Sequence, residues 1–218
     1  MKNYKPLVYG RRNHGIREKN VRFLIVCEGT KTEPNYFKSF IKDHWSEVRK
    51  INLTIKGRAK STCNLLADAK KIREEIEKKR QVKFDSVWIV FDKDEFKDFN
   101  KAIQNARKEK IKCAWSNESF ELWYCLHFEN INTPKNRIEC INIIEKAIKN
   151  ASKKEFKYNK ATENFYELIQ KYGDENKAIE QANKLRMKYK HSSNYVKQNP
   201  RTEVDLLVNE LREPNKLL

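Results

Sequence analysis

Three acidic residues follow the two most apolar segments of the chain, and together they could perform chemistry. Glu28 comes directly after the apolar run 21–27, and Asp92 and Asp94 come directly after the run 86–91. Each run is typical of a buried strand. If the two strands are neighbours in a parallel sheet, the three carboxylates meet at its carboxyl edge, where open α/β sheets bind ligands. In an extended backbone, the spacing of Asp92 and Asp94 places both side chains on the same side.

Carboxylates that meet in this way repel one another. A pair about 4 Å apart costs about 4 kcal/mol at an effective dielectric constant of about 20. A divalent cation removes that cost, and hard oxygen ligands suit Mg²⁺ or Mn²⁺. Such a centre supports phosphoryl transfer, because the ion activates water and stabilises the leaving oxygen. The sequence therefore predicts a site for Mg²⁺ or Mn²⁺ at Glu28, Asp92 and Asp94.

Glu33 is a further candidate for this site. It lies in the first turn of a helix predicted to begin at Thr32, five residues after Glu28, and could approach the same edge of the sheet. An acidic residue is also favoured at a helix N-terminus by the helix dipole alone. Similarly, Glu28 could be a solvated loop acid and Asp92 a turn residue. The position of both after the most apolar strands favours the site.

The elements that must position these acids alternate between strands and helices. Apolar runs predict strands at 21–27, 86–91 and 111–115, and the alternation of apolar and polar residues predicts one at 51–56. Helical spacing predicts helices from Thr32, from Ser61 or Thr62, at about 97–110, and after a cap formed by Ser116 and Asn117. Parallel strands need crossover connections, so this alternation predicts an α/β fold with an open, mainly parallel four-stranded sheet and helices on both faces.

The chain divides into three predicted parts. Residues 1–20 have no apolar periodicity and read as a basic arm, residues 21–130 form the α/β domain, and residues 131–218 form a C-terminal helical region packed on it. Within that region, helices are predicted from a Thr133-Pro134 start, at 163–172, at 174–189, and after Asn199-Pro200-Arg201-Thr202.

The charge of the chain favours a polyanionic partner. The formal net charge is +17, with seven Lys and Arg against one acid in residues 1–22 and fifteen against eight in residues 131–200. Basic surfaces bind phosphate backbones by releasing counterions, which indicates nucleic acid, either DNA or RNA. A lysine-rich surface that only keeps the protein soluble is the alternative.

The remaining composition indicates a cytoplasmic protein. The five cysteines are odd in number and form no CxxC pair, which favours free thiols in a reducing compartment. No apolar run approaches the roughly 20 residues that span a bilayer, and no signal peptide opens the chain, so no membrane partner is expected. The sequence also has no Gly-rich phosphate-binding loop.

Several of these residues resemble known families. The segments 26–33 and 90–94 are similar to the Toprim pattern, in which one apolar strand ends in Glu-Gly and another in Asp-x-Asp. A larger set, from about residue 20 to 210, resembles the RloB family. That set comprises Glu28-Gly29-x-x-Thr32-Glu33, Asp92-x-Asp94, Ser116-Asn117-x-Ser119-Phe120-Glu121-Leu122-Trp123, His127-Phe128 and Asn199-Pro200-x-Thr202. Glu118 departs from the family pattern, which has proline there.

The resemblance implies a Toprim-like sheet and a Mg²⁺-dependent nuclease that acts in antiviral defence with a separate ATPase subunit. By motif, Glu28 becomes the catalytic acid or base, or a metal-linked carboxylate, and Asp92 and Asp94 become metal ligands. The resemblance also favours Glu121 as a catalytic residue facing the crevice, rather than an acid on the helix surface. Whether the chain forms a homo-oligomer stays open.

Other readings compete with the nuclease. A nucleic-acid-binding subunit with an inactive or structural Toprim site is the main alternative, and nucleotidyl transfer would need a nucleotide-binding element that the sequence does not show. His127 is expected to be packed or exposed rather than catalytic. Tyr158 and Lys160 lie in a basic loop that could hold a phosphate or simply be solvated.

Overall fold

The computed structural model describes residues 21–44, 52–55, 62–94, 97–162 and 164–217. The predicted basic arm, residues 1–20, lies outside the described residues. All five cysteines are free thiols. Every helix of the described ranges is too short or too polar to cross a membrane.

Four parallel strands form the sheet, which confirms the predicted open α/β fold. In spatial order the strands are β2 (Asn52–Ile55), β1 (Phe23–Cys27), β3 (Ser86–Asp92) and β4 (Lys112–Asn117). A two-residue strand, β5 (Arg201–Thr202), pairs antiparallel with the end of β4 and was not predicted. Because β1 and β3 are neighbours, Glu28 and Asp92 follow adjacent strand ends, with Cys27 opposite Val90.

Helices cover both faces of the sheet. They are α1 (Thr32–His44), α2 (Thr62–Arg80), α3 (Phe99–Lys108), α4 (Glu121–Leu126), α5 (Arg137–Ser152), α6 (Phe165–Tyr172), α7 (Glu175–Lys188) and α8 (Val204–Arg212). Successive residues of a strand point to opposite faces, so β1 contributes to two cores. Leu24 and Val26 pack with α2 and α3, whereas Phe23, Ile25 and Cys27 pack with α1 and α4 to α8.

The predicted helix cap at Ser116 and Asn117 is wrong, because β4 continues through both residues and α4 begins only at Glu121. The Ser116 hydroxyl lies 2.9 Å from the Thr202 hydroxyl, and the Asn117 amide donates to the carbonyl oxygens of Tyr195 and Val196 at 3.1 and 2.9 Å. These side chains therefore join β4 to the segment before α8, a long-range role that local spacing does not reveal.

Two further helix starts also differ from the predictions. Thr202 belongs to β5, although its hydroxyl accepts the backbone N–H of Val204, the first residue of α8, at 3.2 Å. α5 begins at Arg137 instead of Pro134, because Asn136 and Glu139 form a capping box there. The change at α5 matters for function, since it makes Arg137 the first residue of the helix.

Arg201 fixes the segment around β5 from inside the protein. Its buried guanidinium donates to Gln198 and pairs with the carboxylate of Glu203, which is also buried. It also lies 5.0 Å from the ring centre of Trp115 and 5.9 Å from that of Tyr195. The Asn-Pro-x-Thr motif thus surrounds an internal ion pair that holds the edge of the sheet.

His127 is packed in the core, one of the two placements expected for it. Its side chain is buried, and its Nδ1 donates to the carbonyl oxygen of Trp123 at 2.9 Å. Burial is the largest cause that lowers the pKa of His127, to about 4, and a hydrogen bond to Trp123 opposes it. The imidazole is therefore neutral in the folded protein at neutral pH.

This burial predicts an acid-sensitive fold. In the unfolded chain the imidazole titrates near its ordinary pKa of about 6.5, so between that pH and about 4 the unfolded state binds a proton that the folded state does not. The His127 contribution is fully present above that window and is lost as the pH falls through it. We expect a loss of about 2 kcal/mol between about pH 7 and about pH 5. Urea unfolding of the wild type and of His127→Gln, which cannot titrate, measures this loss. The free energy of unfolding of the wild type should fall more steeply between about pH 7 and about pH 5 than that of the variant. Parallel pH dependences of the two proteins would contradict the prediction.

Candidate functional site

A cavity of about 690 Å³ opens at the carboxyl edge of β1 and β3. All five acidic residues proposed from the sequence line it, and these are Glu28, Glu33, Asp92, Asp94 and Glu121. Three cationic side chains line it as well, namely Lys31, Arg137 and Lys160. The fold therefore brings together residues that are up to 132 positions apart, from Glu28 to Lys160.

Glu28 leaves the sheet directly after β1. Its backbone N–H still donates to the carbonyl oxygen of Val90 at 2.9 Å, which holds it against β3. Its side chain is half-buried, and burial together with the negative charge of Glu33 raises its pKa to about 7. A carboxylate with this pKa exchanges a proton readily near neutral pH.

Glu33 lies in the first turn of α1 and is buried. Burial is the largest cause that raises its pKa to about 7; the charge of Glu121 raises it further, and Lys160 and Arg137 oppose the rise. Its carboxyl group packs over Gly29, since a Cβ built on Gly29 would lie 2.8 Å from the Glu33 Cδ. Neither glycine that the structure describes has a positive φ, so Gly29 is required for space rather than for backbone conformation.

Asp92 and Asp94 reach the cavity in different ways. Asp92 is the last residue of β3, but Asp94 lies in a turn with φ of 37°. The expectation that extended backbone aligns the two side chains is therefore wrong, because the strand ends at Asp92. Asp94 is exposed, and its N–H donates to the carbonyl oxygen of Glu118 at 3.3 Å, so the turn returns its side chain to the same cavity.

The surroundings of the Asp92 carboxylate disfavour its negative charge. Burial, and then the negative charges of Glu33 and Glu121, raise its pKa well above the ordinary value. One oxygen, Oδ2, accepts a hydrogen bond from Arg137 Nη2 at 3.3 Å. The other, Oδ1, is buried and finds no hydrogen-bond partner of normal geometry among the described residues, although the nearby backbone N–H of Phe120 lowers the pKa of the carboxyl group. A buried, unsatisfied carboxylate oxygen is costly and calls for a further cation or proton.

Glu121 is the first residue of α4 and is buried at the cavity wall, not on the helix surface. Its Oε1 accepts a hydrogen bond from the Tyr158 hydroxyl at 3.2 Å. Its Oε2 lies 3.5 Å from Arg137 Nε. Tyr158 thus holds Glu121 in place, and the loop that carries Tyr158 also brings Lys160 to the cavity.

Arg137 is the principal site residue that sequence reasoning missed. It contacts both Asp92 and Glu121, yet it lies in the C-terminal helical region, for which no partner of the acidic residues was predicted. One signal was present: the capping box marks Arg137 as the first helical residue, and a cation at that position is disfavoured by the helix dipole. Such a residue needs a nearby anion to compensate it, and here two carboxylates provide that compensation.

The family model described as RloB-like protein matches residues 23–211 of the chain. The chain belongs to the RloB-like family. This confirms the resemblance drawn from the sequence, and the matched range contains every residue that lines the cavity. No curated protein and no solved structure matches the chain.

The donor set of this RloB-like cavity fits a hard divalent cation. Its oxygens are carboxylates, and the unsatisfied Oδ1 of Asp92 is the kind of atom that a cation would satisfy. Glu28, Asp92 and Asp94 are the residues that would hold the ion. With the side chains in their present positions, no group of three or more His, Cys, Asp or Glu among the described residues is arranged to hold a metal. Binding therefore requires these side chains to rearrange.

The close packing of Glu33 over Gly29 predicts the effect of a single methyl group. Gly29→Ala should displace the Glu33 carboxyl group, because the new Cβ would meet it, while the fold survives, since the carboxyl is the free end of a side chain. We expect a stability loss below about 1 kcal/mol and, if the cavity is a catalytic centre, a loss of rate of up to about 100-fold.

Gly173→Ala is the matched control. There a Cβ would lie 2.9 Å from the backbone oxygen of Ile169 and 2.8 Å from the Cβ of His127, which cannot turn away. We expect it to lower the free energy of unfolding by roughly 1–3 kcal/mol. Urea unfolding and rate measurements on both variants test the contrast, and an unchanged rate for Gly29→Ala would exclude a catalytic role for the position of Glu33.

Proposed function

We propose that this protein is a Toprim-type phosphodiesterase that uses Mg²⁺ or Mn²⁺ to cleave DNA or RNA. The observation that carries the proposal is the convergence of five carboxylates in one cavity, with Glu28 and Asp92 at the ends of adjacent parallel strands. This is the edge at which open α/β sheets bind ligands. The family resemblance further supports a role in antiviral defence with a separate ATPase subunit.

The residues of the cavity divide into three roles. Asp92 and Asp94, with Glu28, supply the oxygens for the cation, which when bound would activate water and stabilise the leaving oxygen. Without the cation, burial and Glu33 raise the pKa of Glu28 to about 7, so acceptance of a proton is the alternative role of Glu28 if Asp92 and Asp94 alone hold the ion. Lys31 and Lys160 are placed to bind the phosphate oxygens of a substrate.

The basic charge of the chain supports nucleic acid as the substrate. The net charge is +17, whereas the cavity concentrates acidic side chains. A basic protein with a local acidic centre can hold a polyanion by its backbone and present one phosphodiester to a cation.

One observation favours a second candidate, a nucleic-acid-binding subunit whose acidic centre is inactive. Arg137 already pairs with Asp92 and Glu121, so two of the carboxylates share one counter-charge without a metal. In that case the protein would bind nucleic acid but leave it intact.

Incubation with end-labelled single- and double-stranded DNA and RNA tests the proposal. We expect cleavage of at least one substrate with Mg²⁺ or Mn²⁺, none with a chelator, and loss of cleavage in Glu28→Gln. Binding of the same nucleic acids is measured in parallel. Binding without cleavage under every metal condition would favour the second candidate.

A further inference from the structure

Arg137 occupies the centre of the carboxylate cluster. Its Nη2 lies 3.3 Å from Asp92 Oδ2 and its Nε lies 3.5 Å from Glu121 Oε2. Glu121 is fixed on its other side by the Tyr158 hydroxyl, whereas the second oxygen of Asp92 has no hydrogen-bond partner in the described ranges. The guanidinium therefore hydrogen-bonds to Asp92 and forms only an ion pair with Glu121, because its Nε has no hydrogen-bond partner in the described ranges, and Asp92 is the carboxylate with a vacant oxygen.

A guanidinium and a divalent cation compete for the same carboxylate. Asp92 cannot give both oxygens to an ion while Oδ2 remains bonded to Arg137, and two positive charges on one carboxylate repel each other. The Arg137 side chain is 31% exposed, so it has solvent-accessible space into which it can turn. Its position at the first residue of α5, where the helix dipole disfavours a cation, also weakens its hold once a carboxylate is lost.

We propose that Arg137 is the resident counter-ion of this centre. Its guanidinium pairs with Asp92 and Glu121 in the metal-free protein and releases Asp92 when a divalent cation binds. The inference rests on the proposed function, because it assumes that the cavity takes a cation. Arg137 is thus a positioning residue: it keeps the buried acids together before the ion arrives, and competition from its charge lowers the affinity for the ion.

Calorimetric titration with Mn²⁺ at neutral pH tests this role on the wild type, Arg137→Gln and Lys135→Gln. Lys135 is the matched control, because it is two residues away, pairs with Glu139, and is not among the described residues that line the cavity. Each variant removes one positive charge from the same region. We expect Arg137→Gln to bind Mn²⁺ about tenfold more tightly than the wild type, equivalent to about 1.4 kcal/mol, and Lys135→Gln to stay within about twofold of it.

Thermal unfolding of the same proteins gives a second readout. Without metal, Arg137→Gln should melt at a lower temperature than the wild type, because Asp92 and Glu121 lose their counter-ion. Saturating Mn²⁺ should remove most of that difference, since the ion replaces the lost charge.

These measurements distinguish failure of the counter-ion role of Arg137 from failure of the proposed function. Equal Mn²⁺ affinity in the three proteins, or weaker binding by Arg137→Gln, overturns the counter-ion role and leaves the proposed function standing. Absence of Mn²⁺ binding in all three folded proteins overturns the proposed function and the inference together.

Discussion

Asp92→Ala should abolish metal-dependent cleavage, by roughly 1000-fold or more, while leaving the metal-free protein as stable as the wild type or slightly more stable. The carboxylate lies near Glu33 and Glu121, and burial together with their charges raises its pKa well above the ordinary value. Removing it relieves that repulsion and eliminates a buried oxygen with no partner among the described residues. Arg137 keeps Glu121 as its partner. Gain of stability with loss of function is the usual behaviour of a strained site.

Asp205→Ala provides the matched control, because it also removes a buried aspartate. Asp205 accepts hydrogen bonds from the Arg186 guanidinium at 3.0 and 2.7 Å, so its loss leaves a partly buried cation unpaired. We expect a destabilisation of about 3–5 kcal/mol. Urea unfolding and cleavage are measured on both variants. If Asp92→Ala loses roughly 1–3 kcal/mol, the residue is structural, and if it cleaves normally, the proposed mechanism is wrong.

Arg201→Met should lower the free energy of unfolding by about 3–5 kcal/mol, as much as Asp205→Ala. The methionine retains the apolar stem, but it leaves the buried Glu203 carboxylate without its ion pair and removes the guanidinium beside Trp115. Because this segment pairs with the end of β4, the loss should loosen that edge of the sheet.

Arg107→Met is the control for this effect. Arg107 is an exposed residue whose guanidinium donates to the Tyr195 hydroxyl at 2.6 Å and lies 5.2 Å from the ring centre. Its replacement removes a comparable arginine–aromatic contact but leaves no buried acid unpaired, so we expect a cost of about 1 kcal/mol. Denaturant unfolding compares the two variants; equal costs would show that the Arg201–Glu203 pair does not hold the edge.

The fold was largely predictable because its signals are local. Runs such as 87–91 are apolar without interruption, as expected for strands buried on both faces, and the helices between them require parallel connections. The acids at the ends of β1 and β3 could be selected for the same reason, since adjacent parallel strands open to one edge. Glu33 followed from its place in the first turn of the helix after β1, whereas Glu121 followed only from the family resemblance.

The missed features depend on contacts between distant segments. β5 has only two residues, and its pairing with Ser116 and Asn117 has no periodicity that a sequence could display. Arg137 enters the cavity because α5 begins later than Pro134 and packs beside α4. The turn at Asp94 is set by a hydrogen bond to Glu118 across the strand end. None of these follows from local spacing.

Soaking crystals of the wild-type protein in Mn²⁺ and calculating an anomalous difference map tests most directly whether the acidic cavity is a metal centre. The account predicts a strong peak in the cavity, at coordination distance, roughly 2.0–2.6 Å, from a carboxylate oxygen of Asp92, with Glu28 and Asp94 turned towards it. It also predicts that the peak is missing from crystals of Asp92→Ala. A map from saturated crystals that shows Mn²⁺ only at other places, with Asp92 still bonded to Arg137, would contradict it.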